Sequence, residues 1–122
     1  MPDRFEDDRG VIQDLLTEQV DSVTEIFTRA GAVRGNHAHN ETVQWTYIVS
    51  GCLRAAALKP GMLYPVSQNY GPGDMLCDEP GVAHAWQALE DTTVLVFTRG
   101  PRSGANYEDD VQRLPEGERL IE

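Results

Sequence analysis

Glycine and proline break the middle of this chain at short intervals, and this spacing limits how long any regular element can be. The breaks fall at Gly31, Gly35, Gly51, Pro60-Gly61, Pro65, Gly71-Pro72-Gly73, Pro80-Gly81 and Gly100-Pro101. Several segments between them are rich in Val, Ile, Thr, Tyr and Trp, residues that suit a pleated surface. Many short strands separated by turn residues predict an antiparallel sandwich or barrel with little helix.

The strand segments differ in their patterns. Residues 43–49 alternate between a larger apolar face and a more polar one, the first formed by Val43, Trp45, Tyr47 and Val49 and the second by Gln44, Thr46 and Ile48. Residues 93–97 are apolar on both faces, as a strand buried between two layers would be. Only residues 12–20 show helical spacing, and residues 107–122 are compatible with either a helical turn or an edge strand.

Composition narrows the class of protein. A chain of 122 residues is long enough for a single domain, 1–122, with its own core. The formal charge of -10 repels phosphate backbones, so we expect no nucleic-acid binding. No apolar run could span a bilayer, and the acidic start carries no signal sequence, so we expect no membrane partner and a cytoplasmic address. In a reducing cytosol, Cys52 and Cys77 are expected to be small buried apolar residues.

Two of the three histidines lie one residue apart, in Arg34-Gly35-Asn36-His37-Ala38-His39. Side chains at i and i+2 of a strand point to the same face, so His37 and His39 are predicted to aim at one point. Such a pair suits a divalent metal or a shared proton-transfer site. The third histidine, His84, follows the turn signal Pro80-Gly81 at the start of another predicted strand.

The spacing of these residues resembles the two motifs of the cupin superfamily, small antiparallel jelly-roll β-barrels. The first motif, glycine, His-x-His, glutamate and glycine, is matched over about residues 31–51, and the second, ending in histidine, over about residues 73–88. Three positions depart from the pattern. Gln44 stands in place of the glutamate, Pro80 comes one position late, and Ala88 replaces a common asparagine.

The cupin resemblance implies a metal centre. It makes His37, His39 and His84 ligands of a divalent transition metal (Fe, Mn, Ni, Cu or Zn), with Gln44 as a weak fourth ligand or as a neighbour of the ligands. A neutral Gln44 would leave the ion its full double charge, and the site would then prefer a small polar or anionic substrate. Such an enzyme would be an oxygenase or an isomerase.

The Arg-Gly-x-His-Ala-His stretch also resembles the cupin-type ketoisomerases that act on nucleotide-linked deoxysugars. The tail Tyr107-Glu108-Asp109-Asp110 is loosely similar to their end. That resemblance implies metal-independent catalysis with His37 and His39 as the acid/base pair, and Arg34 or Gln44 orienting the substrate. Histidine suits this role because it titrates near neutral pH.

Further expectations concern the pocket wall and the assembly. Trp86 shares a strand face with His84 at i+2 and is a candidate for the wall of the substrate pocket. A non-catalytic module that binds or senses a small molecule is the third class of function that this fold allows. We expect a homodimer, because symmetric dimers are the commonest oligomers.

Overall fold

A computed structural model of the chain describes residues 4–101 and 108–122. Within these ranges lie a 3-10 turn at Glu116–Glu118 and eleven strands: β1 (Arg4–Asp7), β2 (Gly10–Gln13), β3 (Ser22–Thr28), β4 (Val33–His39), β5 (Val43–Ser50), β6 (Leu53–Leu58), β7 (Val66–Tyr70), β8 (Met75–Asp78), β9 (Ala83–Ala88), β10 (Thr92–Arg99) and β11 (Val111–Arg113). The prediction of an all-β chain with little helix is confirmed. No helix in the described ranges has the length and apolar character needed to cross a membrane.

The strands form two facing sheets and a separate hairpin, and every pairing is antiparallel. One sheet has the order β3-β10-β5-β8, and the other has the order β11-β4-β9-β6-β7. Strands β1 and β2 pair only with each other among the described residues. The result is a jelly-roll sandwich in which the described strands of the two sheets are not hydrogen-bonded into a closed barrel.

The core lies between the two sheets and is built from alternate residues of their strands. Its buried residues are Ile48, Leu53, Ala55, Trp86, Ala88, Val94 and Val96. On the outer side of the five-stranded sheet a second cluster forms where Ile121 and Leu120, near the C-terminus, cover Ala56, Ala85 and Val33.

The structure shows which face of β5 points inward, and it differs from the sequence expectation in β10. In β5 the more polar face is the inner one, with Thr46 and Ile48 buried, while Trp45 and Tyr47 are half-buried on the outside. In β10 Val94 and Val96 are buried and the outward residues are partly exposed, so this strand is covered on one side only. Thr46 and Thr98 are buried although threonine carries a polar hydroxyl, so the alternation of apolar and polar residues in the sequence does not match the alternation of buried and exposed ones.

The helical spacing of residues 12–20 does not correspond to a helix in the structure. Residues 10–13 belong to β2, and residues 14–20 have no regular structure. A turn at Asp8-Arg9 returns the chain to β1, and Arg9 donates backbone and guanidinium hydrogen bonds to Asp7. The expected burial of both cysteines is also wrong, because Cys77 is exposed on the outer side of β8 and Cys52 is only half-buried.

Asn36 joins β4 to the C-terminal segment. Its backbone has a left-handed φ of 56°, and its carbonyl accepts a hydrogen bond from the amide of Leu114. Its side chain donates from Nδ2 to the carbonyl of Ile121 (2.7 Å) and accepts from the amides of Leu120 (2.8 Å) and Ile121 (3.2 Å). One side chain therefore holds residues 120–121 against the outer face of the sheet.

Replacing Asn36 by Gly should destabilise the protein by about 1–3 kcal/mol, because three side-chain hydrogen bonds are lost while the left-handed backbone remains accessible. Urea unfolding measures this change. Asn36→Asp, which keeps the acceptor oxygen, should cost less. In a chain lacking residues 120–122, Asn36→Gly should lower the free energy of unfolding much less than it does in the full chain. An equal cost in both backgrounds would show that the tail bonds contribute nothing.

Candidate functional site

A β-bulge in β4 aims two histidines into the sandwich. Val33 packs in the outer cluster, and Gly35 pairs with Ala85 of the same cluster. The register then shifts, so that His37 pairs with His84 across the strands. Because side chains alternate with a period of two, one extra residue at Asn36 moves every later odd-numbered residue to the inner face.

Gly35 is needed at this bulge for two reasons. Its φ is 92°, a left-handed conformation that favours glycine. A Cβ at this position would lie 2.9 Å from the carbonyl oxygen of His84, closer than van der Waals contact allows. A larger residue would therefore push β4 away from β9 at the point where the two strands bring their histidines together.

The three histidines meet as predicted. Their ring centroids lie 4.8 Å apart for His37 and His39, 4.7 Å for His37 and His84, and 5.5 Å for His39 and His84. One ring nitrogen from each lies within 4.8 Å of the others. His39 and His84 are buried, whereas His37 is partly exposed.

His39 forms a buried dyad with Asp110. Its Nδ1 lies 3.1 Å from Oδ2 of Asp110, and both side chains are only 2% exposed. Asp110 also accepts hydrogen bonds from the backbone amide of Glu41 (2.6 Å) and from the hydroxyl of Thr42. Strand β11 places this carboxylate, because Val111 pairs with His39 across the edge of the sheet.

The protonation states of the dyad follow from its surroundings. Burial alone would raise the pKa of Asp110, but hydrogen bonds from Thr42, the Glu41 amide and His39 outweigh it and hold that pKa below its usual value. Burial and the nearby His84 lower the pKa of His39, against the opposing effect of Asp110. At neutral pH the pair is therefore a carboxylate and a neutral imidazole. Since the carboxylate can only accept, Nδ1 carries the proton and Nε2 carries the lone pair.

His84 is fixed in the same way by the backbone. Its Nδ1 lies 3.1 Å from the carbonyl oxygen of Val82, so Nδ1 donates a hydrogen bond to that oxygen and Nε2 is the remaining ring nitrogen. This Nε2 is buried and has no hydrogen-bond partner among the described residues. An imidazole whose second nitrogen donates to a carboxylate or carbonyl is the usual arrangement of a metal ligand, so His39 and His84 fit a metal centre with His37.

A cavity of about 400 Å³ opens beside His84 between the two sheets. Strands β6 to β9 supply most of its wall, including Ala55, Tyr70, Leu76, Asp78, His84 and Trp86. Trp86 is 8% exposed and belongs both to the core and to this wall. The volume is sufficient for a small ligand.

Gln44 and Arg34 occupy different environments. Gln44 lies on the inner face of β5, half-buried, and pairs across the strands with Asp78. Arg34 donates from Nε to the hydroxyl of Thr28 (2.8 Å) and from Nη2 to the carbonyl of Phe27 (3.2 Å), and it is not among the described residues that line the cavity. Arg34 therefore ties β4 to β3.

Sequence reasoning missed two acidic residues. Asp110 is 71 residues from His39, and only the loose similarity of the tail pointed to it. Asp78 reads as part of the turn before Pro80, yet it is the last residue of β8 and is 7% exposed. Burial raises the pKa of Asp78, although the neighbouring His84 and His39 oppose this.

The chain belongs to the cupin family, whose sequence profile matches residues 12–107, most of its length. The match confirms that the two histidine motifs resemble those of the cupin superfamily. A search of curated proteins found no match.

Solved structures with the same fold include enzymes of nucleotide-sugar metabolism. A dTDP-4-dehydrorhamnose 3,5-epimerase from Sulfolobus tokodaii superposes with a TM-score of 0.74 at 22% identity, covering 93% of this chain and 74% of the epimerase. A sugar 3,4-ketoisomerase from Thermoanaerobacterium thermosaccharolyticum, in complex with TDP, gives 0.74 at 17% identity, covering 92% and 83%. The capsular polysaccharide assembling protein CapF from Staphylococcus aureus gives 0.71 at 17% identity, covering 93% of this chain but 32% of that protein. At these identities the similarity establishes the fold.

Replacing Asp110 by Asn should lower the pKa of His39 further, because the carboxylate that favours its protonated form is removed. Titration of the histidine resonances by NMR measures this change. Asp109→Asn is the matched control, since this neighbouring side chain is exposed and should leave His39 unchanged. A pKa of His39 that is the same in the Asp110→Asn variant and the wild type would rule out the electrostatic role of the dyad.

Proposed function

We propose that this cupin is an acid–base isomerase or epimerase of a keto sugar, with a nucleotide-linked sugar as the favoured substrate class. The observation that carries the proposal is the buried dyad of His39 and Asp110. The ring of His39 lies 5.5 Å, between centroids, from that of His84, and it is His84 that lines a cavity large enough for a sugar. The shared fold with an epimerase and a ketoisomerase of nucleotide sugars supports the choice of substrate class.

The dyad has the properties that a catalytic base requires. His39 is unprotonated at neutral pH because its pKa is lowered, so its Nε2 can accept a proton. Asp110 orients the ring through Nδ1 and stabilises the imidazolium that forms, as the carboxylate does in a catalytic triad. The three donors to Asp110, which are the Glu41 amide, the Thr42 hydroxyl and Nδ1 of His39, keep this negative charge fixed in place.

Proton transfer between carbons completes the reaction. His39 takes the proton from the carbon next to the ketone, and negative charge develops on the carbonyl oxygen of the resulting enolate. An N–H of the neighbouring His37 imidazole stabilises this charge. Return of a proton to the same carbon from the opposite face gives an epimer. Return of the proton to the former carbonyl carbon instead gives a ketoisomer. In that case the former carbonyl oxygen gains a proton and the hydroxyl on the adjacent carbon loses its own, so that the ketone moves by one carbon. His37 is the second acid or base in this scheme.

We further infer that the enzyme works as a cytoplasmic homodimer. The outer face of the four-stranded sheet carries large apolar side chains that this chain leaves partly exposed, among them Val23, Phe27, Trp45 and Tyr47. A second copy of the same face would cover them, and one face serving both subunits is the rule for a two-fold dimer. The two free cysteines agree with a reducing compartment.

Chelator-treated protein should exchange solvent deuterium into TDP-4-keto-6-deoxyglucose, followed by proton NMR. His39→Gln should slow the exchange by about 10²–10⁴-fold, because the base is removed. The pKa of His39 is lowered from 6.5, so the exchange rate should fall only once the pH drops below 6.5, as His39 becomes protonated. Asp109→Asn is the control. Exchange that His39→Gln leaves intact would overturn the assignment.

A metal centre is the second candidate, because the three histidine nitrogens converge within 4.8 Å and two of the rings donate through Nδ1 to an acceptor. His37, His39 and His84 would hold a divalent transition metal, with Gln44 from β5 as a neutral fourth group. Such an ion, when bound, supplies Lewis-acid polarisation of a substrate oxygen. A module that binds its ligand without changing it would use the same residues.

Elemental analysis of protein purified without a metal-affinity tag tests the metal centre. We expect one transition metal per chain after reconstitution, and a loss of at least roughly tenfold in affinity for His84→Ala, which removes one ligand. Gln44→Glu should instead raise the affinity, because a carboxylate adds negative charge to the ligand set. Metal-free protein that still exchanges deuterium would exclude this candidate and leave the acid–base proposal standing.

A further inference from the structure

Asp78 places a carboxylate inside the cavity where a strand of this kind would ordinarily present an apolar residue. It lies on the inner face of β8, two residues after the core-packing Leu76, and lines the cavity together with His84. It is 7% exposed. Among the described residues that line the cavity, it is the only carboxylate.

No group in the described part of the chain donates a hydrogen bond to this carboxylate. Asp110, the other buried carboxylate near the histidines, accepts from three groups. For Asp78, burial raises the pKa of the carboxyl group, and the electrostatic influence of His84 and His39 opposes this. Buried polar groups are nearly always paired, and an unpaired one marks a place where a ligand or water completes the bonding.

The rest of the cavity wall indicates which ligand group fits. Trp86 and Tyr70 provide aromatic surface for the C–H face of a ring, and Gln68 adds an amide. Lys59 is exposed, whereas Asp78 is buried. A group that enters as far as Asp78 must donate hydrogen bonds and carry no negative charge, because a second carboxylate there would be repelled in a medium of low dielectric constant.

We propose that Asp78 is the specificity-determining residue of this cavity, where it accepts hydrogen bonds from the hydroxyl groups of an uncharged sugar ring and rejects carboxylated sugars such as uronates. The inference rests on the proposed function for the presence of a sugar and adds which sugars are accepted. It also separates the tasks of the site, since the His39–Asp110 dyad moves protons and Asp78 selects the ring.

Binding of two simple glycosides to chelator-treated protein tests the inference without any turnover. Methyl α-D-glucopyranoside and methyl α-D-glucuronide differ by a carboxylate in place of a hydroxymethyl group, and NMR titration of the cavity resonances gives both affinities. The wild type should favour the neutral glycoside by at least about tenfold, the effect expected for hydrogen bonds to a charged group. Asp78→Asn should reduce this preference to below about threefold.

Glu79→Gln is the matched control, because it removes the same charge from the next residue, which is exposed. It should keep the wild-type preference. Thermal unfolding checks the fold: Asp78→Asn should melt no lower than the wild type, since a buried carboxyl group is replaced by a neutral amide of the same size.

Three results would overturn the inference: a wild type that binds neither glycoside, a wild type without preference, or equal effects of Asp78→Asn and Glu79→Gln. Failure of the isomerase proposal is seen separately, as absence of deuterium exchange into the keto sugar. Loss of exchange together with retained glycoside discrimination would refute the reaction while leaving the role of Asp78 in place.

Discussion

The extra residue in β4 determines which way the histidines face. Val33 and Gly35 precede it on the outer side of the sheet, and His37 and His39 follow it on the inner side, because the pleat has a period of two. A regular strand would have turned both imidazoles outward, away from His84. The bulge persists because Gly35 and Asn36 both adopt left-handed backbone and because the Asn36 side chain bonds to the tail. The backbone conformation at the bulge thus determines which way these imidazoles face.

The C-terminal segment supports the same site from two directions. Its end, at Leu120 and Ile121, holds Asn36 and so stabilises the bulge, while its beginning delivers Asp110 to His39. Strand β11 joins these two contacts, because it pairs with β4 along the stretch from His37 to His39. Substitutions in the C-terminal segment should therefore affect the histidines in two ways. They can change the orientation of β4, or they can change the charge on Asp110.

Turn residues and strand periodicity, which are local signals, predicted the all-β fold and a common direction for His37 and His39, whereas their convergence with His84 was implied by the cupin resemblance. Asp110 escaped prediction since its partner is 71 residues away and the contact exists only after β11 joins the sheet. Asp78 looked like turn sequence because it precedes Glu79 and Pro80. The alternation in β5 did not show which face is the inner one, because threonine can be buried when packed, as Thr46 is, so polarity alone does not identify the exposed face.

The two buried carboxylates explain why one site can combine stability with recognition. Asp110 is satisfied by three donors and holds its charge, so it contributes to the folded structure whether or not a ligand is present. Asp78 lacks such donors, and burial raises its pKa, so its ionised form costs stability until a ligand donates to it. Moving a carboxylate from position 110 to position 78 would remove the hydrogen-bond acceptor of His39 without giving the moved carboxylate any donor. The difference in hydrogen bonding therefore assigns Asp110 to the protein's own machinery and Asp78 to the molecule that the cavity receives.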